Sequence, residues 1–171
     1  YAPEGRRDGG EPRPEVAPTT PPTLPDLPPL PHLVDSHCHL DFPDLVEETA
    51  EIITRARAAG VNRMVTICTR LKNEPKVRAM AEAHPEVFYA AGIHPMSAHE
   101  EPPVTVDQLV AFARHPRFVG IGETGLDYHY TAETKAIQQT SLRLHIVAAQ
   151  ETGLPLIIHA RDADEDMEAI L

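Results

Sequence analysis

Cysteine is scarce in this 171-residue chain: Cys38 and Cys68 are the only two. Each lies in an apolar, strand-like run rather than in a spaced framework, which excludes a disulfide scaffold and points to two buried, reduced thiols. No apolar run approaches the length of a membrane span, and the N-terminus lacks the hydrophobic core of a signal peptide, so the expectation is a cytoplasmic protein with no membrane partner. Basic residues are also in short supply. Fifteen Lys and Arg stand against 26 Asp and Glu, a formal charge of -11, and no window gathers Lys and Arg densely enough for a broad electrostatic clamp on DNA. Processing of nucleic acid ends stays open, because bound divalent metals would supply positive charge where a phosphate must sit. With 42% hydrophobic residues the chain can still bury a core.

Proline is concentrated, with ten of the 18 falling within residues 1–31. That stretch is poor in large apolar residues and cannot offset the entropy of folding by burial, so it reads as a disordered or polyproline tail. No basic residue flanks its PxxP spacings, which argues against an SH3-type ligand. From Leu33 onward, short β-branched runs alternate with amphipathic segments at roughly the thirty-residue period of a βα unit. Strands are expected at 33–41, 61–69, 87–95, 118–127 and 155–161. The first helix follows Pro43, with Asp44 as N-cap, Glu47 completing a capping box and Gly60 as its end. A second opens near Asn73 and stops before Pro85, a third carries a Thr105/Gln108 capping box, and a longer one over 132–152 ends at Gly153. Asp162 opens a last helix. Starting at Tyr1 and ending inside that helix, the chain reads as a piece of a longer one.

Near-continuous apolar strands, each followed by a helix, argue for an α/β fold with a parallel sheet. An open doubly wound sheet and a closed barrel both fit this pattern. Ionisable residues at the C-terminal ends of several strands, namely His37 and His39, His94, Glu123 and Asp127, then His159 and Arg161, favour the barrel, where such ends share one mouth. The fold is therefore read as a TIM (β/α)8 barrel, truncated after about five βα units.

His37 and His39 alternate along one strand and so face the same way, with Asp35 on their side and Cys38 pointing away. Alone, the pair fits a metal site or a half-buried strand with incidental histidines equally well. Glu123, among the glycines of GIGETGLDYHY, can bridge two metals or simply begin a solvated loop. His159 follows an apolar run where an unpartnered ring is costly, although a lone histidine there is commonly a satisfied core residue. Together these residues form a nitrogen-and-oxygen set suited to a divalent ion. His94 is read as a substrate contact or a packing residue. His84 and His115 are read as helix C-terminal partners, and His32, His99, His129 and His145 as surface residues.

The segments DSHCHLD, GIHP, GIGETGLDYHY and LPLIIHARDA, in this order, resemble the TatD family of metal-dependent deoxyribonucleases, within the amidohydrolase-like barrels, from Leu33 to the last residue. The resemblance implies a two-metal hydrolase, a 3′–5′ exodeoxyribonuclease that cleaves DNA phosphodiesters by hydroxide attack. It implies zinc, magnesium or manganese held by His37 and His39, by Glu123 as bridge and by His159, with Asp35, His94 and Asp127 supporting the ligands or touching substrate. Met96 departs from the family, which commonly has a histidine there. A further His and an Asp ligand are expected from strands after the fifth. Residues 32–171 thus read as the N-terminal part of such a domain, inactive by itself, from a monomer acting on DNA ends or short nucleic acids. The alternatives are a small-molecule amidohydrolase or lactonase on the same scaffold, and a non-catalytic metal-binding fragment.

Overall fold

The structure, a computed structural model, describes residues 32–171, so the expected tail over 1–31 lies outside the described residues. Strands β1 (Leu33–Cys38), β2 (Val61–Cys68), β3 (Val87–Ala91), β4 (Phe118–Asp127) and β5 (Leu156–Arg161) form one sheet in that order, and every pair is parallel. The crossovers carry α1 (Pro43–Val46) and α2 (Thr49–Ala58), then α3 (Glu74–Ala83), α4 (Val106–Phe112) and α5 (Lys135–Thr152), and α6 (Asp164–Ile170) follows β5. Strand order that never reverses is the winding of a barrel, whereas a doubly wound sheet turns back at a switch point. The five strands curl into half of such a barrel.

The three inner strands supply the core. Ile67, Cys68, Tyr89, Ala90, Ala91 and Ile121 are fully buried, and α3 covers the sheet with Val77 and Ala81 four residues apart. The buried stripe of α5 is Gln138, Ser141, Leu142, His145 and Ala148, a helical repeat in which three of five residues are polar. The outer strands differ. Among the described residues, β1 pairs only with β2 and β5 only with β4, leaving Val34 61% and Ile158 40% exposed. Among the described residues, no helix is long and apolar enough to cross a membrane.

β1 ends at Cys38 rather than at 41, which leaves His39 just past the strand. Three other local expectations need correction. The Asp44 capping box does not form, because Pro43 opens α1 one residue earlier and Phe42 precedes it without a side-chain bond. Proline is tolerated at the start of a helix, where its missing N–H needs no partner. That helix also breaks, and at its restart the Thr49 hydroxyl donates to the Val46 carbonyl at 2.9 Å. Second, β3 stops at Ala91 rather than running to 95. The Gly92 and His94 N–H groups still bond Cys68 and Thr69 on the β2 side, but the Ile93 N–H finds a side chain instead of β4. Third, Asp162 does not start α6: it has a left-handed φ of 53° and its carboxylate takes His129 Nδ1–H at 2.8 Å. By contrast, the Thr105/Gln108 box has both of its bonds, 3.2 and 3.0 Å.

Candidate metal centre

At the end of β1 the register slips between Asp35 and Cys38, and His37 and His39 emerge together with ring centroids 5.1 Å apart. Asp35 Oδ1 accepts the His37 backbone N–H at 3.1 Å, so this carboxylate holds the main chain rather than a ring. The His39 ring stacks on Phe42 at 4.6 Å, and its Nδ1–H donates to the Ile67 carbonyl at 3.2 Å, which leaves Nε2 a free lone pair. Cys38 turns the other way, its thiol donating to the Val65 carbonyl. Burial, followed by Asp35 and Asp41, pushes that thiol up to about 12, so it stays protonated. Cys68 is likewise raised to about 12, chiefly by burial, and both thiols are free.

Glu123 is 8% exposed and stands between two groups of imidazoles. Its Oε2 is 3.4 Å from His37 Nε2, and its Oε1 is 3.4 Å from His159 Nδ1 and 3.8 Å from His94 Nε2. Two sets result, His37 with His39 and Glu123, and His94 with Glu123 and His159, each with one donor atom per residue within 4.8 Å of the others. Close strand approach makes this possible. A Cβ on Gly92 would lie 2.6 Å from the Gly122 Cα, and one on Gly125, whose φ is +144°, would lie 1.9 Å from the His159 carbonyl oxygen.

The hydrogen bonds fix the tautomers around His159. Its Nε2 lies 2.9 Å from Asp127 Oδ2. Burial tends to raise the Asp127 carboxyl, but the Tyr130 N–H and His159 outweigh this and hold it below the usual carboxylate range. An ionised Asp127 can only accept, so His159 carries its proton on Nε2 and presents the Nδ1 lone pair toward Glu123. At His94 the Met96 N–H donates to Nδ1 at 3.3 Å, which puts the ring proton on Nε2, 3.1 Å from His159 Nδ1. Burial, then the neighbouring His159, holds His94 below the ordinary histidine range, and the ring is neutral. His94 is therefore a hydrogen-bond donor aimed at the centre.

A tetrahedral ion with bonds of about 2.0–2.1 Å needs donor atoms about 3.3 Å apart. The Glu123 contacts to His37 and to His159, both 3.4 Å, match that spacing with nitrogen and oxygen donors. His94 is close enough by distance alone, but its tautomer suits it less as a ligand than His159. A cavity of about 400 Å3 opens beside the cluster, lined by His37, His39, Arg70, His94, Met96 and Glu123 among others. Arg70 went unnoticed in the sequence because it stands alone; its guanidinium pairs with Glu100 on the rim.

All four sequence-derived ligand candidates meet here, with His94 and Asp127 beside them and Asp35 one step removed. His145 corrects the reading as a surface residue: it is fully buried, accepts the Ile93 N–H on Nε2 at 3.1 Å and donates from Nδ1 to the Ser141 carbonyl at 2.8 Å. Its place in the α5 stripe, seven residues after Gln138, was the signal that could have shown this. Gln138 is the other buried polar anchor of α5, accepting the Asp127 N–H at 2.7 Å and donating to Thr131.

Comparison with known proteins bears on the family of the chain. The family model described as TatD related DNase matches residues 34–171. The uncharacterized metal-dependent hydrolase YcfH of Escherichia coli (strain K12) is 37% identical over 142 residues, 81% of this chain and 53% of that protein. The protein named 3'-5' ssDNA/RNA exonuclease TatD of Klebsiella pneumoniae (strain 342) is 32% identical over 121 residues, 71% of this chain and 46% of that one. The crystal structure of the TatD homologue YJJV from Escherichia coli K12 superposes with a TM-score of 0.73 at 29% identity, covering 80% of this chain and 53% of that one. The chain thus spans about half the length of the relatives it matches. Its strand order, its converging strand ends and a family match over nearly all of the described residues make it a member of the TatD-related DNase family.

Proposed function

We propose that the chain forms the cation-holding part of a hydrolase that removes nucleotides from the 3′ ends of single-stranded DNA or RNA, in the cytoplasm, where its free thiols are at home. The observation that carries the reading is Glu123, one carboxylate with an oxygen toward each imidazole group. His37 and His39 would hold one divalent ion, Glu123 would serve both, and His159 would hold the second. Bound there, zinc, magnesium or manganese would act as Lewis acids toward a phosphoryl group and make water acidic enough to attack near neutral pH.

The chain's own residues do the rest. Asp127 keeps His159 in the tautomer that offers Nδ1, the usual carboxylate–histidine arrangement beside a metal. His94 points an Nε2–H at the same space, where it can donate to an oxygen gaining charge as the ester bond breaks. The acidic surface disfavours long-range capture of a polyanion, so recognition falls to the centre itself and suits chain ends better than an extended duplex.

The test is cation binding by equilibrium dialysis, together with nucleotide release from 3′-labelled single strands, both measured on the purified intact protein. Two bound ions and metal-dependent release are expected, with both lost in Glu123→Gln. Hydrolysis of lactones or amides without nucleotide release would assign a small-molecule hydrolase instead. Cations bound with no turnover on any of these substrates would assign a non-catalytic fragment.

A further inference from the structure

His145 lies in the buried stripe of α5, and none of the chemistry above uses it. Its imidazole stands where β3 and β4 part company. Pairing between those strands ends at Ala91 with Ile121, and just beyond it the backbone N–H groups alternate: Gly92 and His94 bond the β2 side, so Ile93 points toward β4, where no carbonyl receives it. His145 Nε2 fills that gap at 3.1 Å. Its other nitrogen donates to the Ser141 carbonyl one turn back at 2.8 Å, which fixes the ring's tilt and leaves Nε2 an obligate acceptor. The ring is fully buried and Ile93 is 3% exposed, so no water can replace the bond without the backbone moving.

We infer that His145 is a positioning residue for His94: by receiving the Ile93 N–H it sets the backbone from which the His94 donor reaches the centre. The geometry also divides the labour along α5. Gln138, two turns before His145, holds the Asp127 backbone N–H at 2.7 Å and hence the carboxylate behind His159. One helix face therefore braces both neighbours of the centre through separate side chains. Burial drives the His145 imidazole down to about 4, so at neutral pH the acceptor is present in essentially every molecule.

This inference deepens the role given to His94 above, and its main test uses neither cation nor substrate. In the full chain without added metal, imidazole proton NMR should show, beside the His145 Nδ1–H on Ser141 that every His145 variant loses, slowly exchanging ring N–H signals from His94 Nε2–H on His159 and from His159 Nε2–H on Asp127. His145→Gln, whose amide oxygen can reach the Ile93 N–H, should keep both. His145→Leu has no acceptor, and His145→Asn carries one only about as far as Nδ1; each should lose the His94 signal and retain the His159 signal, which Gln138 supports independently. Having two deficient variants covers the case in which Leu fails to fold. Persistence of the His94 signal in His145→Asn overturns the inference, and so does joint loss of both signals in a folded His145→Asn, which would make His145 a general support of the fold. If the protein turns over nucleic acid, kcat should fall about tenfold or more in His145→Asn with KM little changed, and His145→Gln should restore it. Absence of turnover in the intact protein would count against the proposed hydrolase and leave the NMR outcome standing.

Discussion

Replacing Gly125 by alanine should separate β4 from β5 at the point where His159 is held. The new Cβ would sit 1.9 Å from the His159 carbonyl oxygen, 2.9 Å from its carbonyl carbon and 3.0 Å from its nitrogen. Moving the oxygen from 1.9 Å to a tolerable separation of about 3 Å takes a shift of about 1 Å or more between paired strands, in a region where Gly125 and His159 are register partners. Overpacking of this kind costs about 1–3 kcal/mol, and a non-glycine residue at a φ of +144° adds about 1–3 kcal/mol of backbone strain. The sum, about 2–6 kcal/mol, is a large share of an ordinary domain's stability of about 5–15 kcal/mol. Gly153→Ala provides the control: its φ of +68° is also left-handed, but nothing lies within 4 Å of the added carbon, so only the backbone cost of about 1–2 kcal/mol applies. Urea denaturation followed by circular dichroism compares the two. The reasoning is refuted if Gly125→Ala loses no more stability than Gly153→Ala and binds cations as the parent does.

Two further outcomes follow from the hydrogen bonds. Asp127→Asn removes the anionic acceptor behind His159, and affinity for the second cation should fall about 10–100-fold while the ion at His37 and His39 is little affected, as read by calorimetric titration. Acid sensitivity has a defined sign at His145. Its folded pKa of about 4 lies below the ordinary 6.5, so the unfolded chain binds the extra proton between those values, and stability is complete above pH 6.5 and declines as pH falls toward 4. The shift corresponds to about 3 kcal/mol. Urea midpoints measured over that window should decline less steeply for His145→Gln than for the parent, and parallel curves would disprove the assignment.

Local signals in the sequence were readable wherever one element's own chemistry decided the outcome. β4 occupies 118–127 as its apolar run suggested, and Gly153 closes α5 in the left-handed conformation. The strand-end histidines and Glu123 were readable for the same reason, since alternation and strand ends are one-dimensional properties. What depended on a second element was not. β3 ends early because a side chain from α5 takes the Ile93 N–H, and that contact spans 52 residues. The direction of the His94 proton depends on Met96 and on Asp127 acting through His159, a chain of bonds that no spacing reveals. Asp35 shares β1 with His37, and His39 follows just past its end, yet the register slip in β1 lets the Asp35 carboxylate curl back onto the backbone.

The exposed flanks of the sheet bear on how the chain behaves at high concentration. Among the described residues, each outer strand offers a row of backbone donors and acceptors with one side unmatched, edged by apolar side chains such as Val34 and Ile158, which is a template for joining another copy edge to edge. The principal force keeping such copies apart is mutual repulsion between molecules of charge -11. Salt shortens the reach of that repulsion to about 8 Å at 0.15 M. Solutions of this chain should therefore grow cloudier as ionic strength rises, the reverse of proteins whose association is driven by opposite charges.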